Sequence, residues 1–189
     1  MKKYTIIGGV NGSGKSSFTG AIKSEMKDLG IIIDVDKITA SMGGNQVEGG
    51  KAALKKIKDC LEKGVCFTQE STLSGNFLQK TAKQAQDLDY YIRLYYIGLD
   101  SVDECLERIA NRVRKGGHNI AEEDVIRRFS ERWKAVSVLL PYCNEAAFFD
   151  NDNGFREVAR YQSGELQIIS EDPPAWVREL QAYLHDQQF

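Results

Sequence analysis

Short apolar runs alternate with amphipathic segments along the first half of the chain. The runs are rich in β-branched and aromatic side chains, which predicts buried strands at 4–8, 31–33, 65–68 and 90–97. Between them apolar residues recur at helical spacing, which predicts helices at 16–27, 51–62 and 77–88. Strands that alternate with helices are typical of βαβ units. We therefore expect an α/β fold with a mainly parallel sheet flanked by helices.

The second half of the chain contains two more segments with apolar residues at helical spacing, followed by a region rich in predicted strands. These segments extend over 102–113 and 125–140, and Pro141 stops the second. Later apolar runs predict a strand at 147–150, a C-terminal β-hairpin over 155–169 and a closing helix over 174–186. We found no repeat, low-complexity tract or linker, so we expect a single domain over residues 1–189.

Composition narrows the classes of partner. The 25 Lys and Arg residues against 27 Asp and Glu residues leave a net charge of −2. This balance gives no chain-wide attraction to nucleic acid or to an anionic membrane, so we expect neither as a partner. Every apolar run falls well short of the ~20 residues that span a bilayer. The four cysteines lack C-x-x-C spacing, which favours free thiols and a cytoplasmic protein.

The segment after the first predicted strand carries the strongest chemical signal. It matches G-x-x-x-x-G-K-[ST] without a gap and opens a predicted helix, as a P-loop requires. The motif consists of Gly9, Val10, Asn11, Gly12, Ser13, Gly14, Lys15 and Ser16, and Ser17 directly after it is a further candidate for nucleotide binding. Glycines let backbone N–H groups point at a polyphosphate, Lys15 balances the phosphate charge and the Ser16 hydroxyl can bind Mg²⁺. A tight turn with an incidental lysine is the alternative interpretation.

Acidic residues follow two of the other predicted strands. In a parallel sheet ligands bind beyond the carboxyl edge, so Asp34, Asp36 and Glu70 should converge near Lys15. On an extended segment Asp34 and Asp36 face the same way. Asp34 either caps a helix or supports the site, whereas Asp36 is the candidate that accepts the proton of an attacking hydroxyl.

Glu70 lies in the polar cluster Gln69–Thr72 at the end of a predicted strand. It could hold water on Mg²⁺ or bind sugar hydroxyls, and the alternative is a solvent-exposed acid at a strand end. Thr72 and Ser71 are weaker candidates for substrate binding.

A basic stretch contributes candidates that neutralise phosphate charge. Arg108 and Arg112 are four residues apart and share one face of the predicted helix, beside its apolar stripe. In that position they could act as an arginine finger supplied within the chain. The alternative is a solvated face paired with Glu104 and Glu107. Arg128 is the candidate on the next helix.

His118 lies on a glycine-containing loop beside the basic stretch. An imidazole on a mobile loop can close over a nucleotide or a substrate, and an exposed histidine at a helix entry is the equal alternative.

These motifs together resemble the zeta-toxin family of P-loop kinases, and within it a short stand-alone branch. The segments that carry the resemblance are GGVNGSGKSS, IDVDKI, FTQESTLSG, ERIANRVRKGGHNIAEEDVIRRF and FFDN, within residues 6–151. The resemblance implies a fold similar to nucleoside monophosphate kinases. It also implies transfer of phosphate from ATP (or GTP), with Mg²⁺, to the sugar 3′-hydroxyl of UDP-N-acetylglucosamine. A small antitoxin that blocks the nucleotide site is the implied protein partner.

The resemblance also assigns roles to individual residues. Lys15 and Ser16 would bind nucleotide and metal, Asp36 would be the catalytic base and Glu70 would hold the substrate sugar. Two arginines would contact the phosphates, with Arg112 as the first choice and Arg108 or Arg128 as its partner. Residues 117–118 stand where the best-known members carry their second arginine.

Two alternatives remain open from the sequence. One is a P-loop kinase for another hydroxyl, such as that of an antibiotic. The other is a non-catalytic nucleotide-binding module or an ABC-type ATPase half, for which Leu73–Asn76 gives only a superficial match to the signature. A GTPase-like switch would need an N-K-x-D segment, and the sequence has none.

Overall fold

Five parallel strands and an antiparallel hairpin form one sheet in the computed structural model, which describes residues 1–117 and 119–187. The strands are β1 (Lys3–Gly8), β2 (Ile31–Ile33), β3 (Phe67–Ser71), β4 (Tyr91–Gly98), β5 (Glu145–Asp150), β6 (Arg156–Gln162) and β7 (Glu165–Ile168). Their order across the sheet is β2-β3-β1-β4-β5-β6-β7. Strands β1 to β5 are parallel, β6 pairs antiparallel with β5, and β7 pairs antiparallel with β6.

Helices cover both faces of this sheet. They are α1 (Lys15–Ile22), α2 (Val35–Ser41), α3 (Gln46–Lys63), α4 (Phe77–Asp87), α5 (Val102–Arg114), α6 (Glu122–Ser130), α7 (Arg132–Leu139) and α8 (Ala175–Asp186). The main core lies between one face and α3, α4, α7 and α8. On the opposite face α1 buries Phe18 against Ile7 and Ile97. The α/β class with a mainly parallel sheet is confirmed.

Two predicted helices have different bounds in the structure. The first ends at Ile22 instead of residue 27. The helix predicted from residue 51 begins at Gln46, because the Asn45 side chain accepts a hydrogen bond from Glu48 N–H and caps it.

The long helix predicted over 125–140 is two helices that meet at Glu131. The physical reason is that its apolar residues face two different cores. Val125 packs in a small cluster with Cys105, whereas Trp133 and Val136 pack in the main core. One straight helix cannot serve both clusters.

No helix in the described ranges is long and apolar enough to cross a membrane. The four cysteines, Cys60, Cys66, Cys105 and Cys143, are free thiols.

An ion pair between a buried arginine and a partly exposed aspartate links the amino ends of the central strands. Arg93 of β4 is 3% exposed, and its Nη2 donates to Asp28 Oδ1 at 2.6 Å while its Nε donates to Thr5 Oγ1 at 2.7 Å. Lys3 also contacts Asp28, with Nζ 2.5 Å from Oδ2. The hydrogen bond from Arg93 is the main cause that lowers the pKa of Asp28 to about 2.

We expect Asp28→Asn to lower the free energy of unfolding at pH 7 by about 1–3 kcal/mol, because the substitution leaves the buried guanidinium of Arg93 without a negative charge beside it. The effect stays in this range because Asp28 is partly exposed and water screens the pair. The pKa of Asp28 is lower in the folded protein than in the unfolded chain. Its contribution to the free energy of unfolding is therefore fully present above about pH 4 and is lost as the pH falls towards 2. Urea unfolding at pH 7 and at pH 3 checks this, and the difference between parent and variant should shrink at the lower pH.

The matched control is Asp87→Asn, at the exposed end of α4. It should change stability by less than about 0.5 kcal/mol. Equal stability of Asp28→Asn and the parent at pH 7 would contradict a stabilising role for the pair.

Candidate active site

A cleft of about 430 Å³ opens at the carboxyl edge of the parallel strands. The structure brings most of the predicted site residues together there. Its lining includes Asn11, Gly12, Gly14, Lys15, Ser16, Ser17, Asp34, Asp36, Gln69, Glu70, Ser71, Thr72, Arg108, Arg112 and Arg128. Gly9, Val10 and Ser13 of the loop do not line the cleft. His118 lies outside the described residues.

The loop between β1 and α1 packs closely against backbone atoms of α5 and against the side chain of Asn151. Gly12 has a φ of +83°, and a Cβ there would lie 2.6 Å from the carbonyl oxygen of Cys105 in α5. Gly14 has a φ of +100°, and a Cβ there would lie 2.4 Å from Nδ2 of Asn151. Neither position accommodates a side chain, so these two glycines allow the loop to pack tightly on the elements around it.

Lys15 begins α1 and turns back over its own loop. Its Nζ donates to the carbonyl oxygens of Gly9 at 2.8 Å and Val10 at 2.9 Å. Withdrawal from water lowers the pKa of Lys15 to about 8, and the negative charges of Glu70 and Asp36 oppose this shift. The ammonium therefore lies within electrostatic reach of both acids.

Ser16 and Glu70 form a direct contact between α1 and β3. The Ser16 hydroxyl donates to Glu70 Oε2 at 2.6 Å, and Glu70 lies opposite Ile7 in the parallel pairing of β3 with β1. The second carboxylate oxygen, Oε1, is buried and has no hydrogen-bond partner among residues 1–117 and 119–187. The strand β3 begins two residues later than predicted and continues through Gln69–Ser71, so Glu70 lies within the strand and is not a solvent-exposed acid at its end.

This pair fits a magnesium ion. Mg²⁺ takes hard oxygen ligands from one or two protein groups together with substrate phosphates, and Ser16 Oγ with the unpartnered oxygen of Glu70 is such a donor set. The described residues contain no group of three His, Cys, Asp or Glu side chains that could bind a metal by themselves. When bound, the ion would supply positive charge beside the phosphate oxygens.

The two aspartates after β2 do not lie on an extended segment, which corrects the expectation from the sequence. Asp34 is the N-cap of α2, the helix that the capping interpretation required: Asp34 Oδ1 accepts from Lys37 N–H at 3.2 Å. Of the two roles left open for Asp34, the structure shows the cap. Asp36 lies in the first turn of α2, exposed in the cleft.

Three arginines line the side of the cleft formed by α5 and α6. Arg128 Nη1 donates to Asn11 Oδ1 at 2.7 Å, and Arg128 Nε is buried with no partner in the described ranges. Arg108 Nη2 donates to the carbonyl oxygen of Asn151 at 2.7 Å and lies 3.8 Å from Glu104. Arg112 is close enough to Lys15 for its charge to lower the pKa of that lysine. Positive charge is therefore concentrated beside the loop.

Thr72 enters the cleft on a strained turn that follows β3. Leu73 has a φ of +60°, which is unfavourable for a leucine. The Ser71 hydroxyl accepts from Leu73 N–H at 2.9 Å, and the Leu73 side chain is 5% exposed beneath Gly8. Thr72 Oγ1 lies 2.7 Å from Ser74 Oγ. The buried leucine fixes the turn that presents Thr72.

Sequence reasoning assigned no role to Gln69 or Asn151, although both lie in segments that carry the resemblance. Gln69 lines the cleft and accepts a hydrogen bond from the Tyr4 hydroxyl at 2.6 Å. Asn151 contacts the loop by donating to Ser13 O at 2.7 Å. The available signal was their place directly at the carboxyl edge of strands in a parallel sheet, where polar residues gather.

Comparison with known proteins adds a relative and a set of similar folds. No family model matches the chain. An uncharacterised protein of Haemophilus influenzae (strain ATCC 51907 / DSM 11121 / KW20 / Rd) is 34% identical over 126 residues, which cover 64% of this chain and 88% of that protein. The chain belongs to the same family as this protein.

Solved structures show a shared fold at low identity. A chain of the PezAT chromosomal toxin–antitoxin system of Streptococcus pneumoniae aligns with a TM-score of 0.67 at 15% identity, over 100% of this chain and 86% of that one. A chain of the AvrRxo1-ORF1:-ORF2 structure with ATP aligns with a TM-score of 0.66 at 13% identity, over 98% and 76%. The fold that the resemblance implies is thereby confirmed.

We expect the affinity for ATP to fall as the pH rises above about 8, by up to about tenfold per pH unit for one linked proton. Only the protonated form of Lys15 attracts a polyphosphate, so bound ATP raises the pKa of Lys15 and proton uptake accompanies binding. Titration calorimetry in buffers of different ionisation enthalpy measures both quantities.

The control for this experiment is Lys15→Arg, which stays charged because the pKa of arginine is above about 12. Its affinity should be weaker but independent of pH over the same range. A parent protein whose affinity is unchanged between pH 7 and 9.5 would refute the assignment of the titration to Lys15.

Proposed function

We propose that this protein is an ATP-dependent phosphotransferase that moves the γ-phosphoryl group to a hydroxyl of a sugar nucleotide, with the 3′-hydroxyl of UDP-N-acetylglucosamine as the leading candidate. GTP is the alternative donor. The observation that carries the proposal is one cleft in which Lys15 and the Ser16–Glu70 pair are joined by the acid Asp36 and by three arginines.

The donor side of the reaction follows from the loop. Its backbone N–H groups and the N-terminus of α1 attract the β- and γ-phosphates, and the ammonium of Lys15 leaves the carbonyl oxygens of Gly9 and Val10 to neutralise them. Arg112, with Arg108 or Arg128, offsets the charge that spreads over the γ-phosphoryl oxygens during transfer. These residues act by position and charge and form no covalent bond.

The acceptor side is assigned to α2 and to the turn after β3. Asp36 accepts the proton of the acceptor hydroxyl while the oxygen of that hydroxyl bonds to the γ-phosphorus. The bond from the γ-phosphorus to the β–γ bridging oxygen breaks at the same time and releases ADP. Thr72 lines the same cleft and is a proposed contact for the sugar, with His118 as a further candidate. Glu70 lines it too, and its carboxylate oxygen Oε1 would bind either the sugar or the metal, which remain the two alternatives for this residue. A cleft of about 430 Å³ is of the size that small-molecule sites have.

The similar folds support this proposal and suggest a regulator. One belongs to a toxin–antitoxin system, and another was solved with ATP. We therefore propose that a small antitoxin restrains this protein by covering the nucleotide site. Sugar nucleotides and ATP are cytoplasmic metabolites, so the proposed reaction takes place in the cytoplasm.

We expect Asp36→Asn to bind ATP as the parent does and to lose about 10²–10⁴-fold in the rate of phosphoryl transfer, which is the usual contribution of a general base. Single-turnover transfer and ATP binding are measured on the same preparation.

Asp34→Asn is the matched control, because asparagine caps a helix about as well as aspartate. It should keep most of the transfer rate although it removes a carboxylate two residues away. Equal rates for Asp36→Asn and the parent would remove Asp36 from the role of base.

The acceptor is tested by incubating the protein with Mg-ATP and a panel of sugar nucleotides, free sugars and aminoglycosides. Mass spectrometry should detect one added phosphoryl group on UDP-N-acetylglucosamine, and none with the Lys15→Ala variant. Phosphorylation of another small molecule alone would replace the proposed acceptor. ATP binding without transfer to any acceptor would favour a regulatory module.

A further inference from the structure

Asn151 is the first residue after β5 and joins two parts of the site that are far apart in the chain. Its side-chain Nδ2 donates to the carbonyl oxygen of Ser13, with 2.7 Å between the two atoms. Its own backbone carbonyl oxygen accepts from Nη2 of Arg108, also at 2.7 Å. One residue thus holds both the phosphate loop and an arginine of the cleft.

The contact with Ser13 constrains the direction of the next N–H group. In a trans peptide the C=O and the following N–H point in opposite directions within one plane. With the Ser13 carbonyl directed to Asn151, the N–H of Gly14 is directed away from Asn151, and Gly14 itself lines the cleft. Glycine at a φ of +100° has no Cβ to prevent this peptide from turning over, so the hydrogen bond must fix it.

The position of Asn151 is itself fixed from the other side of the sheet. The preceding residue, Asp150, is 7% exposed and accepts from the indole N–H of Trp176 in α8 at 3.0 Å. Trp176 is fully buried, and its backbone N–H donates to Asp100 Oδ1 at 3.1 Å. The hydrogen bonds of Trp176 therefore fix the end of β5 against α8. Asn151 directly follows that end and bonds to the loop, so the loop is positioned relative to the same fixed point.

We infer that Asn151 is a positioning residue for the phosphate-binding loop: it locks the Ser13–Gly14 peptide so that the Gly14 N–H faces the nucleotide phosphates. This inference rests on the proposed function only in naming a nucleotide as the ligand. Because the backbone carbonyl that receives Arg108 survives any substitution at this position, the side chain acts on the loop and leaves that arginine bonded.

Asn151→Ala should weaken ATP binding and raise the KM for ATP by about five- to tenfold, the equivalent of one lost hydrogen bond. The kcat and the KM for the acceptor should change by less than about twofold, because Arg108 keeps its partner. Hydrogen exchange of the segment 9–17 in the free protein should become faster. Asn153→Ala, on the same exposed turn, is the control and should behave as the parent.

Asn151→Asp tests the hydrogen-bond donor of the side chain separately from its size and shape. It fills the same space but directs an acceptor at the Ser13 carbonyl, so it should weaken ATP binding at least as much as Asn151→Ala. If Asn151→Asp matches the parent, or if Asn151→Ala changes neither ATP affinity nor exchange of the loop, the inference is overturned. A parent that binds no ATP would refute the proposed function, while the exchange measurement would still decide the role of Asn151.

Discussion

The parallel pairing of β1 with β3 is the constraint on which the rest of the site depends. It places Glu70 opposite Ile7, just before the loop, and so brings the carboxylate to the Ser16 hydroxyl. Successive side chains of a strand point to opposite faces, so a slip of one residue would turn Glu70 away and present a neighbour. The core side chains of both strands, among them Tyr4 and Phe67 stacked at 4.4 Å, specify this register.

Electrostatic balance explains how so many charges occupy one cleft. Withdrawal from water disfavours the positive charge of Lys15, and the negative charges of Glu70 and Asp36 favour it. The three arginines are held at separate points: Arg128 by Asn11, Arg108 by Asn151 and Arg112 on the turn of α5 that follows Arg108. A site assembled in this way is preorganised for anions, because its donors need little rearrangement when one arrives.

The sequence predicts the features that depend on local patterns. The loop from Gly9 to Ser16 is a contiguous motif between a strand and a helix, and the alternation of apolar runs indicates the parallel sheet. Features that arise from packing are harder to predict. The short helix α2 begins where Asp34 caps it, directly after a strand, and its seven residues give too little periodicity to detect. The bonds of Asn151 cross 43 and 138 residues of sequence, which no local pattern encodes.

The arrangement at Trp176 has an optical consequence. The protein has two tryptophans, and the rings of Trp133 and Trp176 stack with their centroids 6.1 Å apart. All indole fluorescence therefore originates from one place in the fold, next to the carboxylate of Asp150. Quenching or a spectral shift of that emission would report a disturbance at the end of β5 without any label being attached.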